Sequence, residues 1–361
     1  MPDDRSVRIP APDLLAATAR LFGALGLPDA AAKAVAEGLV DADMRGIPSH
    51  GLMLVPMYAE RIGAGSVTTA TEGEVVADLG AIAVIDAKNA LGILTGDQAM
   101  ALAVERARQF GIGAVAVRHA FHFGGAFRYV MAAADAGLVG VAAANTRPLI
   151  PAPGGAQAVI GNNPLAIGVP TAGAEPIVLD MALSEAALGK IRIAAAEGRE
   201  IPPTWATDSS GVPTTDPEAA IAGLLLPAAG PKGYGLAFMI DVLTGVLSGG
   251  AFGAGVQGLY SDTAVPNDCA HFFLAIDPAA FGGADSFAAR VDELAAQVTA
   301  SPTAPGVERV LLPGQLEAER HVAAQADGVR VERSVIDNLR EVAAGLGVDL
   351  GDLGQADREE D

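Results

Sequence analysis

The sequence predicts an α/β fold, a mixed β-sheet with covering helices, flanked at both chain ends by helical segments. Three observations carry this. From about residue 80, short apolar runs alternate with stretches of helical periodicity, the pattern left by strands and helices interleaved around one sheet. The first 70 residues instead repeat their large apolar side chains at helical spacing. Finally, 51% of the 361 residues are hydrophobic and 18% are charged, enough to bury a substantial core.

Taken in order, Leu14, Leu15, Leu21, Phe22 and Leu25 outline a first helix, which Gly26 to Pro28 ends. Asp29 suits the cap of a second helix carrying Val35, Leu39, Val40 and Met44. The stretch 44–51 (MRGIPSHG) interrupts it, and residues 52–62 read as a further short helix. Strands are expected at 81–87, 112–119, 139–145, 165–171, 177–182 and 271–277. Helices are expected at 96–110, 125–136, 184–197 and 233–248. Residues 198–232, rich in Pro, Gly, Thr and Asp, read as an ordered loop excursion. A last helix places Val335, Leu339, Val342 and Leu346 on one face, and the polar tail 354–361 reads as frayed. No internal repeat is visible. Aromatic residues make up only 4%, with Trp205 the single tryptophan, so the core is expected to be built from Ala, Val, Leu and Ile.

The net charge of −20 disfavours nucleic acid as a partner, because an acidic surface repels a phosphate backbone. Lysine occurs only at positions 33, 88, 190 and 232. The single cysteine, Cys269, cannot form an intrachain disulfide and reads as a small buried hydrophobe. The N-terminus has no apolar signal-like run, and no uninterrupted apolar stretch is long enough to cross a bilayer. A soluble cytoplasmic protein is expected, with no membrane partner.

Five segments could carry chemistry. Ser49-His50-Gly51 places a loop histidine after a helix, where it could act as acid, base or substrate donor, or simply be solvated. The two side chains, being neighbours, are expected to diverge. Phe121 to Ala126 (FHFGGA) lies where a strand passes into a helix. Glycines there allow close backbone approach and a helix start favours anions, with His122 at the mouth; a structural histidine is the other reading. Asn145-Thr146 ends another strand and leads into a Pro- and Gly-rich loop closing on Gly161-Asn162-Asn163-Pro164, either turn chemistry or a binding loop. Asp180-Met181-Ala182 ends a strand and is followed by Gly189-Lys190. Pro231-Lys232-Gly233 opens a helix, where a cation and free amides suit an anion such as a pyrophosphate.

Gly253 to Gly258 matches G-x-G-x-x-G, yet it follows a helix instead of a strand and is read as a loop. There is no Walker A sequence, no HExxH and no cysteine cluster, so no metal site is expected.

In this serial order the motifs resemble the type-2 malate/L-lactate dehydrogenase family, which includes sulfolactate and ureidoglycolate dehydrogenases and a piperideine-carboxylate reductase. The resemblance spans roughly residues 10 to 345. It implies a non-Rossmann fold, with a helical dimerisation domain from residues 1–75 and 315–361 and a central α/β NAD(P)-binding domain from 76–314. It implies a homodimer, NAD or NADP as cofactor, and interconversion of a small 2-hydroxy acid and 2-oxo acid. His122 matches the family's proton donor and acceptor, and a histidine titrating near neutrality would suit that role. Ser49 and His50 match a pair lining the substrate. His122, Phe123, Gly124, Gly125, Ala126, Thr146, Asp180, Met181, Ala182, Gly189 and Lys232 match cofactor-contacting positions. Asn162 matches a substrate-facing position. Many members carry an arginine that holds the substrate carboxylate where this chain has Leu54. A leucine cannot pair with a carboxylate, which leaves Arg45 or another donor for that task. Phe121 and Gln315 also depart from the common Asn and Glu. Reduction of a cyclic imino acid, ureidoglycolate-type chemistry, a serine hydrolase built on Ser49 and a non-catalytic NAD(P)H-binding protein are the alternatives.

Overall fold

The computed structural model describes residues 5–173, 175–282, 284–351 and 353. The first four residues and the tail 354–361 lie outside them. The central element is a seven-stranded sheet. Its strands, in spatial order, are Glu74–Asp78, Ile82–Asp86, Ile112–Ala120, Cys269–Ile276, Val139–Ala144, Leu165–Val169 and Ile177–Met181. Ile82–Asp86 and Ile112–Ala120 run parallel; every other neighbouring pair is antiparallel. The sheet is therefore mixed, as expected.

The strand Cys269–Ile276 inserts between Ile112–Ala120 and Val139–Ala144, pairing His271 with Val117 on one side and Ala144 on the other. The two flanking strands run the same way, so His122 and Thr146 emerge at the same end of the sheet. They are separated by two strand spacings, roughly 10 Å. The helices Gly92–Phe110 and Phe127–Asp135 cover one face. Glycine permits their close approach: a Cβ at Gly113 would lie 2.1 Å from the Ala103 carbonyl oxygen, and one at Gly168 would lie 2.5 Å from that of Val130.

The helices Ala11–Ala24, Asp29–Met44 and Val55–Gly63 build a second core around Leu21, Phe22, Leu39 and Tyr58. The C-terminal helix Arg333–Leu346 adds Ile336 and Leu339 to it. The strands Ser6–Ile9 and Val329–Glu332 pair antiparallel, joining the chain's two ends. Burying each of these large side chains contributes about 1.5–3 kcal/mol.

Several boundaries differ from the sequence reading. The helix expected at 96–110 begins at Gly92, and that at 184–197 spans only Leu188–Ala196. The helix at 233–248 starts at Pro231 and passes through a π-helical turn, Val242–Val246. The 198–232 excursion holds a short helix, Pro217–Ile221, and two paired two-residue strands. The helix Ala284–Thr299 had no expectation, and Gln315–Asp327 falls in the helical segment expected from residue 315 but was not placed as an element. Gly253–Gly255 forms one 3₁₀ turn, so the glycine fingerprint is a loop, as read.

Candidate active site

The helix Asp29–Met44 delivers the chain into two 3₁₀ turns, Pro48–His50 and Leu52–Leu54. Ser49 is exposed and His50 half-buried. Contrary to the expected divergence, Ser49 Oγ and His50 Nδ1 lie 3.0 Å apart, because the tight turn folds both side chains to one side. Asp43 supports this turn from below. Its Oδ2 accepts the Leu52 amide at 2.8 Å. Its carboxylate lies so close to Gly51 that a Cβ there would sit 2.4 Å from it. Burial outweighs that hydrogen bond and pushes the Asp43 carboxyl up to about 7.

The strand Ile112–Ala120 leads into His122, whose ring stacks on His50 with centroids 5.5 Å apart and 27° between planes. Tyr58, fully buried, meets His122 Nδ1 through its hydroxyl at 2.8 Å. A hydroxyl both donates and accepts, so Tyr58 can hold the ring in either protonation state and leaves Nε2 free to face a substrate. Phe121 and Phe22 pack edge-on against Tyr58 and fix it in turn. Burial, then the neighbouring His50 and His271, hold His122 well below the usual histidine range. That corrects the expectation of titration near neutrality: at pH 7 the ring is neutral. His50 is also lowered, by burial. Tyr58 and Asp43 were not singled out from sequence. Each reads there as an ordinary helix residue.

The remaining candidates divide into two groups. Phe123 turns its ring inward, stacked between Tyr129 and His271, and Gly124, Gly125 and Ala126 are buried behind it. Asp180 Oδ2 accepts the Phe127 amide at 2.9 Å, so the anion at this helix start is the chain's own carboxylate. Burial outweighs the backbone amides that it accepts and raises that carboxyl to about 6. Asp180 lines a cavity of about 140 Å³ with Arg45, Phe127, Val178, Pro313, Gly314 and Glu317. Arg45 is engaged there: Nε contacts Asp41 at 3.2 Å, and the guanidinium lies 5.0 Å from the centre of the Phe127 ring. His321 binds the same Asp41 at 3.1 Å. Leu54 is 2% exposed and belongs to the helical core.

In the second group, Thr146 Oγ1 donates to Asn162 Oδ1 at 2.9 Å, joining two candidates that are distant in sequence. The buried Asn163 receives the Thr146 amide at 2.9 Å and donates to the Ala237 carbonyl. Asn145, also buried, binds Asp241, Ala251 and Ala270. These two asparagines are structural. A Cβ at Gly161 would lie 2.3 Å from both Thr146 Oγ1 and Asn163 Oδ1, so this close turn requires glycine. Lys232 is exposed at the start of the helix Pro231–Asp241 and pairs with no acid among the described residues. Gly189 is exposed with open space around it, while Met181 and Ala182 are half-buried. No group of acids, histidines and cysteines among the described residues could hold a metal ion.

A family model described as Malate/L-lactate dehydrogenase matches residues 9–340. The malate dehydrogenase of Pyrococcus abyssi is 36% identical over 354 residues, covering 96% of this chain and 97% of that one. The ureidoglycolate dehydrogenase (NAD(+)) of Escherichia coli K12 is 38% identical, covering 87% and 89%. The structure of sulfolactate dehydrogenase from Methanocaldococcus jannaschii superposes with a TM-score of 0.91 at 33% identity, covering 96% and 99%. The chain belongs to the malate/L-lactate dehydrogenase family.

Proposed function

We propose that this chain interconverts a small 2-hydroxy acid and 2-oxo acid with NAD or NADP, using His122 as the proton-transfer group. The observation that carries the reading is the assembly of Ser49, His50, Tyr58 and His122 at one end of the sheet. The nicotinamide, when bound, supplies and accepts the hydride. The residues present fit a dinucleotide. Lys232 offers a cation with no acid partner among the described residues at a helix start, and the Thr146–Asn162 pair presents polar atoms at the strand end that lies on the same end of the sheet as His122.

In oxidation, His122 Nε2 would take the proton from the hydroxyl oxygen as the hydroxyl-bearing carbon gives up its hydride to the acceptor and becomes a carbonyl. The low proton affinity of the free ring keeps that nitrogen available at pH 7. In reduction, the ring returns the proton to the developing alkoxide. A bound carboxylate near the ring favours its charged form and so supplies the protonation that the free site disfavours. Tyr58 holds the ring, and Ser49 with His50 orients the substrate oxygen.

The reading extends to the whole chain. A helical unit of 1–75 with 315–361 and a cofactor unit of 76–314 accord with the pairing of the two chain ends. A homodimer is supported by Leu236, Met239, Leu243, Val246 and Leu247, exposed along one continuous helical face. No helix among the described residues is long and apolar enough to cross a membrane, and a cytoplasmic location is supported by the single buried cysteine.

A panel of 2-oxo acids and a cyclic imino acid, each offered with NADH or NADPH, tests the function. Loss of reduced-nicotinamide absorbance is the expected result. No loss with any substrate, while NAD(P)H fluorescence still reports binding, would replace this function with a binding role.

A further inference from the structure

We propose that residues 257–268 form one wall of the active site, between His122 and Thr146, and that Arg61 is the positioning residue that clamps this wall to the helix carrying Tyr58. The proposal deepens the dehydrogenase reading and rests on it for what the wall aligns.

Topology places the segment. The strand Cys269–Ile276 lies between the strand that delivers His122 and the one that delivers Thr146, and runs against both. Its first residue, Cys269, pairs with Ala120, the last residue of its neighbour. The chain just before Cys269 therefore stands at the end of the sheet where both candidate halves emerge. It occupies the gap between them, roughly 10 Å or two strand spacings wide. Substrate and nicotinamide must meet in that gap if His122 transfers the proton.

The segment is a closed loop with fixed ends. The Gln257 amide donates to the Asn267 carbonyl at 2.9 Å, and the Asn267 side chain returns a bond to the Gln257 carbonyl. Close ends of this kind define an Ω-loop. Its foot is pinned on both sides. Asp268 Oδ1 lies 2.8 Å from His119 Nδ1, on the strand that delivers His122. Ala270 donates its amide to Asn145 Oδ1 at 2.7 Å, next to Thr146.

Arg61 fixes the body of the loop. Fully buried, it donates from Nη2 to the Gly258 carbonyl at 2.8 Å, from Nε to Leu259 at 2.9 Å and from Nη1 to Val265 at 2.8 Å. Gly258 and Leu259 stand on the outgoing limb and Val265 on the returning one, so one rigid planar fork ties the two limbs together. Ser66 Oγ adds a bond to the Thr263 carbonyl at 2.6 Å, and Thr263 Oγ1 donates to Glu60 at 2.8 Å. Tyr58 lies one turn before Arg61 on the same helix. The guanidinium is 5.9 Å from the centre of the Phe121 ring, which packs on Tyr58 at 5.0 Å. On the other side the loop meets the residue after Thr146: a Cβ at Gly258 would lie 2.9 Å from Arg147 Cδ. The clamp thus sets the loop against both halves of the site, while Tyr58 holds His122 independently of it. Loosening Arg61 should spoil the fit of the substrate and spare the proton-transfer group.

The test uses the full-length chain with Arg61→Lys, which keeps the charge but loses the fork, and the milder Ser66→Ala and Thr263→Val, which each remove one side-chain bond to the loop. Chymotrypsin cleavage after Tyr260, identified by fragment mass, reports the loop without turnover, because Tyr260 is 66% exposed and cleavage needs the two limbs to open. Arg61→Lys should be cut about tenfold faster than the parent, the scale of one weakened charge-assisted hydrogen bond. Steady-state kinetics follow with oxaloacetate and pyruvate, each with NADH and NADPH. Substrate KM should rise about tenfold in Arg61→Lys and about two- to threefold in the milder variants, with kcat within about threefold of the parent. Variants that lower kcat and keep KM would show only a loss of folded protein and would overturn the proposal. So would parental KM with parental cleavage in all of them. A parent that oxidises neither cofactor with any acid of the panel would overturn the dehydrogenase reading and the loop's substrate role with it, while the cleavage rates still accept or reject the Arg61 clamp.

Discussion

Replacing Tyr58 with phenylalanine removes one hydroxyl and little else. The ring is fully buried, and its edge-on packing against Phe121 at 5.0 Å and Phe22 at 6.3 Å needs no oxygen. What is lost is the 2.8 Å contact to His122 Nδ1. Losing a buried hydrogen bond and leaving its partner unmatched costs about 1–3 kcal/mol. If half of that is felt in the transition state, kcat falls about two- to tenfold, since about 1.4 kcal/mol corresponds to a factor of ten. The substrate still meets Ser49, His50 and Nε2, so KM should stay within about threefold. Folding should weaken by no more than about 3 kcal/mol. Steady-state kinetics on the best substrate of the panel, with a melting curve of the same sample, separate these effects. A variant with the parental kcat and an intact fold would refute the idea that Tyr58 sets the ring of His122.

Two further expectations concern pH. Asp43 has its carboxyl raised to about 7, above its ordinary value of 3.8, so its ionisation weakens the fold as pH rises through that interval. Asp43→Asn keeps an acceptor for the Leu52 amide without the charge. It should gain stability relative to the parent as pH goes from 5 to 8, by about 1–2 kcal/mol after solvent screening; an equal difference at both pH values would remove the buried-carboxylate explanation. His271 is buried, stacked on Phe123, and lowered from 6.5 to about 3 by burial. Its stabilising neutral form is fully present above about pH 6.5 and is lost progressively as pH falls towards 3. His271→Phe keeps the stack, so its acid-unfolding midpoint should move to lower pH by several tenths of a unit or more. An unmoved midpoint in circular dichroism would show that His271 does not drive acid unfolding.

Much of the sheet was legible because its strands are short apolar runs bounded by turn residues. The edge strand Glu74–Asp78 was not, since every one of its residues is exposed and no alternation marks a buried face. The pairing of Ser6–Ile9 with Val329–Glu332 joins segments more than 300 residues apart, and nothing local announces it. The helix Gln315–Asp327 buries only Ala324, which leaves almost no apolar stripe to read.

At the site, the histidines and the Thr146–Asn162 loop could be picked out because loops between apolar strands expose polar side chains. The residues that hold them in place were hidden. Tyr58 reads as one more core aromatic until the fold brings it against a histidine 64 positions away. Asp43 reads as a solvent-facing helix position until the chain turns back over it. Local sequence also misjudged electrostatics: His122 was expected to titrate near neutrality, yet its burial, followed by the neighbouring His50 and His271, holds it well below that range.

The most direct measurement compares the parent with His122→Ala in the absorbance assay, with NAD(P)H binding followed by fluorescence on the same samples. Turnover should fall by about 10²–10⁴-fold, the usual effect of losing a general acid or base, while cofactor binding is retained. Near-parental turnover with binding intact would contradict the assignment of proton transfer to His122.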